Sequence, residues 1–159
     1  MFDDERVELL RGVVVRMSPH DPRQAEAIRR LVRMFVLAAG ERAVVSPQLS
    51  FAASDDSQPE PDLALLPPGD YAQAHPSQAL LVMEVATTSL RKDRGVKAEL
   101  YAEAGVPEYW IVNLVAREVE VLRAPEDGRY TEQVVRRPGE VLSPLALPGL
   151  HLPVGDLVI

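Results

Sequence analysis

The sequence predicts an α/β fold, with a mixed β-sheet flanked by helices. Apolar stretches of strand length alternate along the chain with two stretches of helical periodicity, an order typical of a sheet covered by helices. The 159 residues suffice for a sizeable core, and 47% of them are apolar. Since no repeat or long linker divides the sequence, we expect residues 1–159 to form a single domain.

The N-terminal part predicts a β-hairpin followed by a long helix. Strands are expected at residues 6–10 and 13–17, with Gly12 in the turn. Asp21 is a suitable helix N-cap, with Pro22 at the first helical position. Apolar residues then recur at helical spacing before Gly40, where the helix should end: Ile28, Leu31, Val32, Phe35 and Val36.

The rest of the chain predicts further strands around a second helix. Strands are expected at 43–51, 62–66, 80–86, 108–112 and 118–122, the last opening an edge hairpin through Gly128. A helix capped by Thr88 or Ser89 should run to about Ala104, where Gly105 and Pro107 stop it. The strand at 80–86 is apolar on both faces, as a central strand should be. The Pro- and Leu-rich tail from residue 138 yields no clear prediction.

Composition narrows the classes of function. A net charge of −7 argues against DNA binding over the whole surface, although a local basic groove is compatible with it. The absence of cysteine excludes disulfides, thiolate metal sites and a cysteine nucleophile. The acidic start at residues 1–5 and the lack of an apolar run near ~20 residues predict a cytoplasmic protein without membrane association.

Glu84 is the most informative residue, because it interrupts an apolar strand whose two faces should both be buried. A buried carboxylate needs a partner, a proton or a cation. Asp62 opens a neighbouring apolar strand. Taken alone, each has a plain structural explanation, Glu84 as a strand-end residue that reaches water and Asp62 as a strand cap.

Lys97 is the third candidate. It shares a helical stripe with Asp93, Leu100, Tyr101 and Ala104, the stripe best able to face the sheet. An ordinary surface pair between Asp93 and Lys97 would explain it equally well. Against that reading, the chain contains fifteen arginines and only two lysines, Lys92 and Lys97. A lysine offers a compact ammonium that a guanidinium cannot match.

Two carboxylates on adjacent strands, joined by an ammonium, suit phosphoryl chemistry. The carboxylates can bind a hard divalent cation through oxygen, with water completing its shell. Such a cation lowers the pKa of a bound water and stabilises charge on a phosphoryl group, while the lysine orients the nucleophile. We therefore regard Asp62, Glu84 and Lys97 as candidate catalytic residues.

Four segments together make the chain recognisable: residues 60–65, 81–90, 93–97 and 101–112. In combination and order they closely resemble the Uma-two family, which is classed among the restriction endonucleases. The resemblance extends to Val7-Glu8-Leu9 with Gly12 and to Met17-Ser18-Pro19, and covers about residues 6–135. It implies a restriction-endonuclease-like fold of the PD-(D/E)xK superfamily, with an N-terminal hairpin and C-terminal edge strands.

The resemblance also implies roles for residues. Asp62 matches the Asp of the PD motif and Glu84 the second acid, and the backbone carbonyl of Val85 would be a further ligand for Mg²⁺ or Mn²⁺. The superfamily's lysine lies two residues after the second acid, where this chain has Ala86, and Lys97 on the following helix matches the family's lysine. The implied activity is cleavage of DNA, by a homodimer.

Three departures from the family pattern keep an alternative open. Gln24 replaces a frequent His, Thr87 replaces a frequent Asp after the second-acid tripeptide, and Asn113 replaces a frequent Asp at a strand end. None removes a core ligand. Together with the negative charge they favour, as the second hypothesis, a catalytically weak or retired nuclease fold that serves as an interaction or nucleic-acid-binding module.

The remaining candidates are weaker. Gln48, Asp93 and Glu8 are candidates for supporting roles in the site. The histidines, at positions 20, 75 and 151, lack ligand spacing and are expected to be non-functional. Several arginines of the first helix could contact phosphate, or could equally form a solvated face with Glu26: Arg23, Arg29, Arg30 and Arg33.

Overall fold

The computed structural model describes residues 5–159; the acidic stretch at positions 1–4, part of the expectation of a cytoplasmic protein, lies outside them. The chain begins with the predicted hairpin, β1 (Val7–Leu10) and β2 (Val13–Arg16), which pair antiparallel in a sheet of their own. Helix α1 (Pro22–Ala39) follows. Asp21 caps it as predicted, because its side chain accepts the Gln24 N–H and its own N–H donates to the Gln24 side chain.

The central element is a six-stranded mixed sheet, which confirms the predicted fold class. In this sheet only the strands β5 (Leu81–Ala86) and β6 (Glu108–Asn113) are parallel, and the helical segment between them provides the crossover that a parallel pair requires. All other neighbours are antiparallel. In spatial order the strands are β3 (Val44–Pro47), β4 (Leu63–Leu66), β5 (Leu81–Ala86), β6 (Glu108–Asn113), β7 (Glu118–Glu126) and β8 (Arg129–Arg136).

One face of the sheet packs against α1. The apolar stripe predicted from the sequence supplies Ile28, Leu31 and Phe35, and Phe35 lies against Trp110 of β6 with ring centroids 5.9 Å apart. The C-terminal segment completes this core through β9 (Val141–Leu142), β10 (Leu152–Pro153) and a 3₁₀ turn at Val154–Asp156. The tail that the sequence left unassigned is therefore part of the main core.

The second face is covered by helical residues between β5 and β6. The predicted single helix is divided into α2 (Leu90–Lys92), a π-helical segment (Asp93–Lys97) and α3 (Ala98–Glu103). Within the π-helical segment Gly95 has a φ of −94° and a ψ of −106°, outside the helical region, so the segment is a kink between two helical stretches. The cluster on this face includes Ala64, Val82, Tyr101 and Tyr109, and alternate residues of β4 and β5 point toward it.

The predicted strand at 43–51 is wrong in length, since β3 ends at Pro47. The next residue, Gln48, has a φ of 53°, and a left-handed residue cannot continue a strand. Conversely β7 extends beyond the predicted residue 122, and the predicted hairpin through Gly128 is confirmed. Within residues 5–159, no helix is long and apolar enough to span a membrane.

Both hairpins turn through two residues with positive φ, Arg11-Gly12 at 54° and 76° and Asp127-Gly128 at 50° and 75°. This is the pattern of a type I′ turn.

Gly12→Ala and Gly128→Ala should each lower the free energy of unfolding by about 1–2 kcal/mol, the cost of left-handed backbone for a residue with Cβ. Gly128→Ala should cost more, because its Cβ would lie 3.0 Å from Glu103 Cγ, whereas nothing lies within 4 Å at Gly12. Urea denaturation measures both, and equal stability of Gly128→Ala and wild type would contradict the prediction.

Candidate active site

Asp62 and Glu84 lie side by side at the end of β4 and in the middle of β5. Leu63 pairs with Met83 in the antiparallel register, so the next pair outward is Asp62 with Glu84. Asp62 is fixed further by the Val85 N–H, which donates to its Oδ2 at 2.7 Å. Both carboxylates line one cavity of about 300 Å³ on the face covered by α2 and α3. The structure thus brings the two predicted acids together.

Lys97 reaches this cavity from the π-helical segment. Its Nζ lies 2.6 Å from Glu84 Oε1 and 2.6 Å from Glu8 Oε1, and the residue is only 1% exposed. Asp93, one π turn earlier, is equally buried and accepts the Ser89 hydroxyl at 2.6 Å. The predicted helical stripe therefore does face the sheet, although the helix is kinked at Gly95, between Asp93 and Lys97.

Glu8, predicted as a supporting residue, anchors both lysines of the chain. Its Oε1 accepts Lys97 and the Glu60 backbone N–H at 2.9 Å, and its Oε2 accepts Lys92 at 3.2 Å. The Glu8 side chain is fully buried, whereas Lys92 is 28% exposed at the cavity wall. Lys92 and Lys97, the two lysines of this arginine-rich chain, thus share the Glu8 carboxylate.

Tyr101 is a site residue whose role the sequence did not reveal. Its hydroxyl donates to Glu84 Oε1 at 2.8 Å from a fully buried position on α3. Tyr101 follows Lys97 by four residues in the same stripe, and this spacing was the available signal. Lys97 and Tyr101 both contact Oε1 of Glu84, whereas its Oε2 accepts no hydrogen bond from residues 5–159.

His20, which was expected to be non-functional, lies in the candidate site and contacts one of its acids. Its Nε2 lies 2.8 Å from Asp62 Oδ1, and the Gln48 side-chain amide donates to its Nδ1 at 3.1 Å. With Nδ1 accepting, Nε2 carries the proton and donates to Asp62. The loop between β2 and α1 carries His20 over the start of β4, a contact across 42 residues that spacing cannot reveal. Gln48, a predicted supporting residue, orients this imidazole.

Gln24 stands where the family often has His, and it contacts a predicted ligand. Its side-chain amide donates to the Val85 carbonyl at 3.0 Å. A carbonyl oxygen has two lone pairs, so this bond leaves Val85 one for a further interaction. His75 and His151 are exposed and do not line the cavity.

The arginines proposed to contact nucleic acid lie elsewhere, since none of the four on α1 lines the cavity. Arg23 donates to the Leu114 and Ile159 carbonyls, and Arg30 to the Asp156 carbonyl. These two therefore fasten the C-terminal segment to α1. Arg29 pairs with Glu26 at 3.6 Å, and Arg33 is exposed.

Burial dominates the electrostatics of Glu84 and raises its pKa well above the usual range; Lys97 opposes this shift, while Asp62 and the other nearby carboxylates add to it. Burial likewise raises the pKa of Asp93. Removal from water disfavours a carboxylate, and like charges nearby disfavour it further. The site thus holds an excess of acidic groups.

The opposite applies to Lys97. Burial alone would lower the pKa of its ammonium, but Glu84, Glu8 and Asp93 outweigh burial and raise the pKa above its usual value. Burial would raise the pKa of Glu8, yet Lys97, the Glu60 N–H and Lys92 together hold it below its usual value. The raised pKa favours the protonated ammonium, which donates to both Glu84 and Glu8.

The donor set fits a hard divalent cation. The Asp62 and Glu84 carboxylates and the Val85 carbonyl offer oxygen ligands in one cavity. One of the two Glu84 oxygens accepts no hydrogen bond from residues 5–159. Within residues 5–159, no group of three or more His, Asp or Glu side chains is arranged to hold a metal ion. Mg²⁺ is commonly bound by only one or two carboxylates, with waters and substrate phosphate completing its shell. Asp62 and Glu84 meet that requirement.

Comparison with solved structures finds the same fold in a crystal structure titled as "a putative nuclease belonging to DUF820 from Anabaena variabilis ATCC 29413". The TM-score is 0.82 at 17% sequence identity, over 98% of this chain and 90% of that chain. No curated protein matches the sequence.

The family comparison agrees with the resemblance read from the motifs. The model of the Uma2 family, described as "Putative restriction endonuclease", matches residues 1–155, which include Asp62, Glu84 and Lys97. The chain therefore belongs to the Uma2 family of this description.

Proposed function

We propose that this chain is a metal-dependent endonuclease that hydrolyses phosphodiester bonds in DNA, with Mg²⁺ or Mn²⁺ as the cation. The observation that carries the proposal is the buried Lys97 ammonium, 2.6 Å from Glu84 in a cavity that Asp62 also lines. A purely structural ion pair between Lys97 and Glu84 would not require the second acid, Asp62, on the wall of the same cavity. Among residues 5–159, Asp62 has no lysine or arginine partner. The family description supports the choice of reaction.

In this proposal Asp62, Glu84 and the Val85 carbonyl hold the cation. When bound, the cation lowers the pKa of a water and stabilises negative charge on the phosphate. Lys97 stays protonated and donates to the attacking water or to a phosphate oxygen, where charge develops. Glu8 holds the Lys97 ammonium in place, and Tyr101 restricts the Glu84 carboxylate. His20 and Gln48 orient Asp62, as partners of ligand residues commonly do.

The rival hypothesis is a retired nuclease fold that acts as an interaction or nucleic-acid-binding module. A retired module has no need to hold a cation, so the metal response described below separates the two. A homodimeric state, which would give a duplex one site for each strand, and a cytoplasmic location stay predictions from the sequence.

The first prediction concerns metal binding. Mn²⁺ should raise the melting temperature of the wild type increasingly with concentration, because a ligand of the folded state stabilises it. Asp62→Asn should lose most of this response. In EDTA the same variant should match or exceed the wild type in stability, because the amide oxygen still accepts the Val85 N–H and one of two neighbouring like charges is gone. The amide NH2 can donate to His20 Nε2 once the imidazole tautomer and the Gln48 amide reverse.

Scanning calorimetry measures these responses. Asp70→Asn is the matched control, since Asp70 is an exposed loop residue that accepts the Ala72 N–H, and it should respond like the wild type. A wild-type melting curve that does not move with Mn²⁺, together with a destabilised Asp62→Asn, would assign the carboxylates a purely structural role.

The second prediction concerns Lys97. Its removal alone leaves Glu8 and Glu84 buried without their shared cation, a loss of about 3–5 kcal/mol that endangers the fold. We therefore pair Lys97→Gln with Glu8→Gln. This double variant should lose DNA cleavage but keep the Mn²⁺ response of the melting temperature. Lys97→Arg should also lose cleavage, because a guanidinium is larger than the enclosed ammonium site.

Cleavage is followed on a labelled duplex with Mg²⁺, Mn²⁺ or EDTA. Arg33→Gln, an exposed change on α1, should cleave like the wild type. Full cleavage by Lys97→Arg would mean that only a positive charge is required at this position.

The third prediction concerns pH dependence without metal. Because the pKa of Glu84 in the folded state lies above the unfolded value of 4.5, the folded state binds a proton that the unfolded state has released. Stability therefore falls as pH rises from 4.5 through the folded-state pKa. Glu84→Gln removes this titration and still accepts the Tyr101 hydroxyl. In EDTA its melting temperature relative to wild type should rise from pH 4.5 to pH 8, and a difference independent of pH would contradict the shift.

A further inference from the structure

A second groove adjoins the active-site cavity on the outer side of α2 and the π-helical segment. We call it the rim groove; it has a volume of about 560 Å³ and opens to solvent. Thr88, Ser89 and Lys92 line both the cavity and the rim groove, so the two spaces meet at these residues. The rim groove is completed by Arg91, Gly95 and Val96.

Lys92 stands at the junction and has donors to spare. One bond goes to Glu8 Oε2 at 3.2 Å, and an ammonium has three N–H donors. Lys97 at 2.6 Å and the Glu60 N–H both donate to Glu8 Oε1, so Lys92 is the donor to Oε2 among residues 5–159. This bond holds the partly exposed Lys92 beside the cavity and leaves two of its ammonium N–H donors for a ligand.

Arg91 and Thr88 also carry unused donors. Most arginines of this chain form a hydrogen bond or an ion pair with a carboxylate or a carbonyl; within residues 5–159 only Arg33, Arg91 and Arg129 form neither. Of these three, Arg91 alone lies in a groove joined to the active site. The exposed Thr88 hydroxyl likewise has no hydrogen-bond partner among the described residues.

The charge of the site explains why donors are needed there. Three acidic side chains line the cavity, Asp62, Glu84 and Asp93, and the buried Glu8 lies behind its two lysines. The cationic groups that line it are Lys92, Lys97 and Arg16, and Arg16 is already paired with Glu5. The whole chain carries a net charge of −7. An anionic DNA strand approaching this site is repelled unless cationic groups meet it at the entrance.

We propose that the rim groove binds a backbone phosphate of the DNA strand, next to the phosphate that is cleaved. Arg91 and Lys92 supply its cationic contacts, and Thr88 supplies a hydroxyl donor. Arginine is well suited to a phosphate because its fork donates two parallel hydrogen bonds. This inference rests on the proposed function, and it adds a strand-binding subsite outside the catalytic cavity.

The test measures binding separately from cleavage. Fluorescence anisotropy of a labelled duplex is recorded in EDTA over a NaCl series, for wild type, Arg91→Gln and the double variant Arg91→Gln/Lys92→Gln. The Kd of the double variant should rise on the order of tenfold, and its salt slope should fall by about 1, since each neutralised phosphate contributes about 0.9 and both side chains contact the same phosphate. Arg91→Gln alone should lower the slope by less, because Lys92 still contacts that phosphate, and it leaves the Lys92–Glu8 bond in place.

The matched control is Arg33→Gln/Arg129→Gln, which removes two equally exposed and unpartnered arginines outside the rim groove. Its Kd should stay within about twofold of wild type. In cleavage assays Arg91→Gln should raise KM and leave kcat largely unchanged, because Arg91 does not line the catalytic cavity. An effect of the control equal to that of the double variant would overturn the inference, because binding would then depend on overall charge.

The two proposals fail in different ways. If wild type cleaves DNA and the rim-groove variants have unchanged Kd and KM, the subsite is wrong and the nuclease proposal stands. If wild type binds DNA through Arg91 and Lys92 but never cleaves it with Mg²⁺ or Mn²⁺, the nuclease proposal is wrong and the subsite stands. If wild type binds no DNA, both are wrong.

Discussion

The arrangement of the site depends on one buried ammonium held between two carboxylates. Lys97 joins Glu8 from the N-terminal hairpin to Glu84 from the central strand β5. Removing three charged groups from water costs several kcal/mol for each ion, and close pairing with further hydrogen bonds recovers it. Those bonds are present, from the Glu60 N–H to Glu8 and from Tyr101 to Glu84. The ion pairs of Lys97 therefore connect the hairpin, the sheet and the helical layer.

The segment that carries Lys97 is kinked at Gly95, whose φ of −94° and ψ of −106° are not helical. Asp93 and Lys97, on either side of this kink, are both buried against the sheet. Tyr109 of β6 fixes the segment, because its hydroxyl donates to the Asp93 carbonyl at 2.9 Å. On its outer side Arg94 pairs with the buried Glu120 of β7 at 2.9 Å. The segment that carries the lysine is thus fastened on two sides.

The sequence was most informative where a residue broke a local pattern. Glu84 interrupts an apolar strand, and Lys97 interrupts the preference for arginine, so both could be singled out before any contact was known. The lengths of β3 and α2 were predicted less well. Each ends near a backbone feature that depends on tertiary contacts, the positive φ of Gln48 after β3 and the kink at Gly95 after α2. His20 was missed for a related reason: its partner Asp62 is 42 residues away, and the intervening loops leave no periodic trace.

The hairpin also determines when the site can exist during folding. Glu8 and Lys97 are 89 residues apart, and Arg11 meets Glu103 across 92 residues. Contacts of such separation form late, after the entropy of closing the long loop has been overcome. During synthesis the N-terminal segment emerges first, and Glu8 lacks its two ammonium partners until Lys92 and then Lys97 have left the ribosome. A chain that has folded only its sheet and helices holds Lys97 without Glu8, so the complete charge arrangement is a property of the fully folded chain alone.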